Sequence, residues 1–164
     1  MVIRTAKVLL VLLIGLCALL IGLDNIIDYG TNYAFVQHVM SMDTIFPTST
    51  LTWRAITSPL LHHLAYALII TAELLTGLMC IIGARRLWRV RAAGAQHFNA
   101  AKDLATIGLT LGFTLWFFGF MTIGGEWFQM WQSQAWNGQQ AAFRFIVCIG
   151  LVLLFLNQRD DELA

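Results

Sequence analysis

Glu73 stands in "HHLAYALIITAELL", residues 62–75, where only the two histidines, Tyr66 and Thr71 otherwise interrupt an apolar run. A charge at the centre of a bilayer costs several kcal/mol even on lenient scales, so such a carboxyl faces a protein interior and needs a partner. His62, Tyr66, Ile69, Glu73, Thr76 and Cys80 follow steps of three and four residues, which places them on one face of a helix. Such a stripe can act as interhelical glue, which is the simplest reading. It can also wall a pocket for a quinone or lipid headgroup, or carry a proton or ion.

His62 and His63 raise haem and metal chemistry, since helical bundles hold haem between facing histidines. Neighbouring residues on a helix point about 100° apart, so only one of the two faces inward. No other apolar segment carries a histidine, and Cys17 with Glu73 supplies too few donors for a closed metal site. Neither a metal nor a cofactor is expected. No HExxH, CxxC, GxGxxG or phosphate-loop pattern occurs, and no catalytic residue can be named.

A second set of charges, Asp24, Asp28, Arg54, Glu126 and Arg144, flanks the apolar segments on one side. Arg144 lies about one turn inside the last segment, from which it can snorkel to an acid, with Glu126 the expected partner. Alternatively, Arg54 and Arg144 bind lipid phosphate or another anion at the rim.

The elements that position these groups follow from composition. Of the 164 residues, 59% are hydrophobic and 12% charged, too polar-poor a mixture to coat a soluble globule. The ten basic residues are dispersed rather than clustered, which gives no footprint for nucleic acid. Four apolar segments, about 8–27, 60–83, 104–123 and 141–157, predict an all-α transmembrane four-helix bundle forming one domain over 1–164. The first segment follows Arg4 and Lys7 as a secretion signal would, but lacks a small-x-small cleavage site, so a retained helix is expected.

Four crossings put Arg4, Lys7, Arg85, Arg86, Arg89, Arg91, Lys102 and Arg159 on one side, which predicts cytoplasmic termini and a basic cytoplasmic loop over 84–103. That loop is expected to be helical and to signal topology. The outer loops, 28–59 and 124–140, carry Tyr29, Tyr33, Trp53, Trp127, Trp131 and Trp136 at headgroup height. In "TNYAFVQHVMSM" the spacing of Phe35, Val39 and Met42 predicts a short amphipathic helix capping the outer mouth. The cysteines, at 17, 80 and 148, all fall within predicted spans, so no outer disulfide is expected.

Counting about 1.5 Å per residue, Glu73 lies roughly 15 Å from Gly83, near the midplane of a ~30 Å core. The same count reaches Thr114 on the third segment, Cys17 on the first and Gly150 on the fourth, so Thr114 is the expected partner of Glu73, with Cys17 nearby. Gly108 and Gly112, and the stripe Gly15, Ala18 and Gly22, predict close helix contacts, either within the chain or with a partner.

The stretches "NYAFVQHVMSMDT", "TWRAITSP", "GGEWFQMWQS" and "WNGQQAAFRF" resemble a family of small bacterial four-span inner-membrane proteins catalogued as a domain of unknown function. The resemblance spans nearly the whole chain. It implies the same topology and a bacterial inner-membrane location, and it lends no activity, cofactor or catalytic residue. Two functions remain. The first is a non-catalytic accessory or assembly protein, acting with a membrane-protein partner or as a homo-oligomer. The second is a binding or transport protein for a lipid, quinone or proton, built on the stripe around Glu73.

Overall fold

The computed structural model describes residues 1–162, which form helices without a strand. Helix α1 (Val2–Ile27) turns at Asp28 into α2 (Tyr29–Ser41), which ends on a left-handed Met42. A loop with one 3₁₀ turn, Thr52–Arg54, leads to α3 (Pro59–Val90), whose proline sits in the first turn, where its missing N–H costs nothing. A short α4 (Ala95–Ala100) precedes α5 (Asp103–Thr114), which continues as a π-helical segment over Leu115–Trp127. After a 3₁₀ turn, Met130–Gln132, α6 (Gln139–Asn157) completes the bundle. Among the described residues, four helical stretches are long and apolar enough to cross a membrane: Val2–Ile27, Pro59–Val90, Ala95–Trp127 and Gln139–Asn157.

The basic loop is shorter than its sequence suggests. Helix α3 runs on to Val90 because Ala84 and Leu87 continue its buried face and no breaker intervenes before Gly94. At 32 residues it is about 48 Å long, well beyond a ~30 Å hydrocarbon core.

Small residues join the helices. A Cβ added to Gly15 of α1 would lie 2.9 Å from the Cβ of Cys80, and one on Gly77 would lie 2.8 Å from the backbone of Leu19. On α5 the same test puts Gly108 2.9 Å from Met79 and Gly112 2.8 Å from Thr76, while Gly83 of α3 would strike the backbone of Ala105 at 2.7 Å. The Gly–Ala faces legible in the sequence are therefore occupied inside the bundle. Contact between α3 and the third crossing falls mainly on α5 and largely ceases along the π segment.

At the end that carries both termini, Arg4, Lys7 and Lys102 are buried around Asp160. The Nζ groups of Lys7 and Lys102 each donate to Asp160 Oδ2 at 2.6 Å and also to the carbonyl of Gln158, while Arg4 Nε lies 3.9 Å from Oδ1. Arg4 further donates to the carbonyls of Ala93 and Asp161, and Asn99 exchanges hydrogen bonds with the backbone of residue 160. Burial alone would raise the Asp160 pKa, but the hydrogen bonds and charges of Lys102 and Lys7 outweigh it and hold the carboxyl below the ordinary aspartate range.

Candidate functional site

The polar stripe of α3 is buried as a continuous face. His62, Tyr66, Glu73, Thr76 and Cys80 all point inward, with Ile70 in place of the half-buried Ile69. Glu73 meets α1 where Gly22 lets the helices approach, since a Cβ there would come within 3.3 Å of the Glu73 Cβ. Its partner is Asn25, whose Nδ2 donates to Glu73 Oε2 at 2.7 Å. Asn25 Oδ1 accepts from Asn32 of α2 at 2.6 Å, and its backbone carbonyl accepts from the Tyr66 hydroxyl at 3.0 Å. That carbonyl is one of the last four of α1, which no intrahelical N–H can satisfy, so Tyr66 caps the helix end.

Thr114 and Cys17, expected beside Glu73 from depth, do not join it. Thr114 is two residues, about 200°, from the inward-facing Gly112, and it is exposed. Cys17 is one residue from the buried Ala18 and faces outward. A count of depth along a span does not define a helix face.

His62 donates from Nε2 to the carbonyl of Ile56 at 2.7 Å, fastening the loop before α3, and its Nδ1 is buried without a partner. His63 faces out, where its ring stacks on Tyr33 at 4.2 Å and its Nδ1 is hydrogen-bonded to the Tyr29 hydroxyl at 2.8 Å. The two histidines thus serve different surfaces. Among the described residues, no three His, Cys, Asp or Glu side chains gather in a group able to hold a metal ion.

The expected Arg144–Glu126 pair does not form. Among the described residues, the ion pairs are those around Asp160 and one between His38 and Asp43. Arg144 lies about 200° around α6 from the buried Ala142 and is exposed, as are Glu126 and Asp28. Arg54 behaves differently. Its guanidinium lies over the rings of Trp127 (4.7 Å) and Trp53 (5.3 Å) and approaches the carbonyls of Trp127 and Glu126 only at 3.4 and 3.5 Å. Its Nε is buried without a hydrogen-bond partner.

A groove that sequence reasoning did not find opens between α2, α3 and the π segment, with Ile56 of the Arg54 loop in its lining. It holds about 570 Å³ between the N-terminal half of α3 and the π segment, roofed by α2. Its walls are nearly all apolar: Ala65, Leu68, Ile69 and Ala72 on one side, Leu115, Phe118, Gly119 and Ile123 on the other, and Phe35, Val36, Val39 and Met40 above. Thr114 sits at its inner end. Leu68 (71% exposed) and Phe118 (55% exposed) mark a mouth open sideways. The groove exists because the tight contacts end at Gly112, beyond which the π segment stands off α3. A Cβ on Gly119 would meet nothing nearer than Leu115 of its own segment, at 3.7 Å. π-Helical turns are rare and frequently lie at functional sites.

The model for "Predicted small integral membrane protein (DUF2165)" matches residues 3–159. The chain belongs to that family. As a DUF2165 protein it is an integral membrane protein whose helices contact the lipid bilayer, and the family description assigns no activity. No curated protein and no solved structure matches it. For this DUF2165 member, the polar knot at Glu73, the Arg54 site and the apolar groove are therefore read from chemistry alone.

Proposed function

We propose that the protein is a non-catalytic lipid-binding protein of the bacterial inner membrane, with both termini in the cytoplasm, which holds the hydrocarbon chain of an amphiphile in the groove between α3 and the π segment. The groove carries this reading. Its volume lies within the range of small-molecule sites, and its lining is apolar where a chain would lie. A chain there is enclosed by two helices and the α2 roof, whereas an ordinary boundary lipid touches one convex face. The Glu73–Asn25–Tyr66 knot fixes the α1–α2 corner from which the roof projects, so the polar stripe supports the site without forming its wall. An assembly role has less support, because the small-residue faces that would seat a partner helix are occupied within the bundle.

Gly119→Leu tests the reading. The glycine lines the groove, and a side chain there grows into open space. Native mass spectrometry of the detergent-purified protein is expected to show retained lipid in the wild type and its loss in the variant, with the two proteins melting alike once delipidated. Equal retention in both proteins would overturn the proposal.

A further inference from the structure

We infer that the amphiphile held in the groove is an anionic phospholipid, with its phosphate bound by Arg54 between Trp53 and Trp127; the inference rests on the groove reading above. Ile56, two residues past Arg54, and Phe128, one past Trp127, both line the groove, so the Arg54–Trp127 contact joins the two chain segments that border it. Both of its recorded hydrogen bonds go to backbone carbonyls at 3.4–3.5 Å, the weak limit of such contacts, and Nε has none. No carboxylate pairs with it among the described residues; Glu126 offers its backbone oxygen.

A guanidinium carries five donors in a planar fork that matches phosphate oxygens; here Nε is buried and Nη1 makes both long carbonyl contacts, which leaves Nη2 as the donor free for a phosphate oxygen. The indoles of Trp53 and Trp127, set edge to face at 79°, lie 5.3 and 4.7 Å from its Cζ and confine the guanidinium between them. Tryptophans favour the headgroup zone, which is the height at which a phosphate stands above its acyl chains. An ammonium headgroup would meet a fixed positive charge at Arg54, so a headgroup of net negative charge fits and a zwitterionic one fits less well.

The experiment is a titration of the full-length protein in detergent, followed by native mass spectrometry, with dioleoyl phosphatidylglycerol and dioleoyl phosphatidylcholine compared. The wild type is expected to bind the anionic lipid about tenfold more tightly, the scale of one charge-assisted contact. Arg54→Gln should bring the two lipids level while still binding both, and raising the salt should shrink the wild-type preference, since a rim charge is screened. A wild type without preference, a preference that survives in Arg54→Gln, or one insensitive to salt would overturn the headgroup assignment. The salt series needs no variant and so decides the matter even if Arg54→Gln does not fold. If the assignment fails while Gly119→Leu still loses both lipids, the groove reading stands alone. If Gly119→Leu retains both, the groove reading falls and this inference with it.

Discussion

Replacing Asp160 with asparagine leaves Arg4, Lys7 and Lys102 buried with no carboxylate among them. Their side chains are between 1% and 6% exposed, so water cannot substitute for the lost charge. Breaking a buried ion pair from one side costs about 3–5 kcal/mol. The lower end is expected here, because Lys7 and Lys102 keep their hydrogen bonds to the Gln158 carbonyl and the asparagine oxygen can still accept. Denaturation in detergent at neutral pH should therefore show Asp160→Asn destabilised by about 3 kcal/mol, with the exposed neighbour Asp161→Asn within about 0.5 kcal/mol of wild type. The pH dependence has a defined sign. The folded-state pKa of Asp160 is lowered, so its stabilisation is fully present above the unfolded value of about 3.9 and is lost as pH falls through the folded value. Wild-type stability should thus fall on acidification below about pH 4, and part of that fall should be absent in Asp160→Asn. An Asp160→Asn protein as stable as wild type, with the same acid limb, would refute the claim that this carboxylate holds the termini together.

Glu73→Gln should fold normally, since its amide oxygen can accept from Asn25, whereas Glu73→Leu should cost about 1–2 kcal/mol in a detergent unfolding assay by orphaning the Asn25 amide. Gly83→Val should destabilise far more than Gly119→Val in the same assay, because the first Cβ strikes the Ala105 backbone at 2.7 Å and the second makes only an ordinary contact with Leu115 at 3.7 Å. Arg144→Ala and Glu126→Ala should have additive effects on stability in a double-mutant cycle, as the two side chains form no pair; a coupling above about 0.5 kcal/mol would contradict the structure.

The four crossings and the α3 stripe are legible in the sequence because both are periodic signals repeated over many turns. The partner of Glu73 was not, since depth counting ranks Thr114 and Cys17 equally with residues on the correct face. Asn25 lies at the very end of the first apolar run, eight residues beyond the Cys17 that the depth count selects, so depth matching passed it over. Arg4, Lys7 and Lys102 carry the composition of a topology signal, and a buried lysine is written with the same letter as an exposed one. Only the spacing of Arg4 and Lys7, three apart on one face, hinted that they converge, and Asp160 lies beyond the last span. The groove depends on π winding over Leu115–Trp127, for which Gly119, Gly124 and Gly125 are the sole visible trace.

Photo-crosslinking in bilayer nanodiscs with a phospholipid carrying a diazirine in its acyl chain tests the groove most directly. Peptide mapping should place the adducts in Leu68–Ala72 and Phe118–Ile123, the two facing walls. Adducts spread evenly over exposed apolar residues elsewhere, such as Leu13 of α1 and Leu154 of α6, would contradict the account.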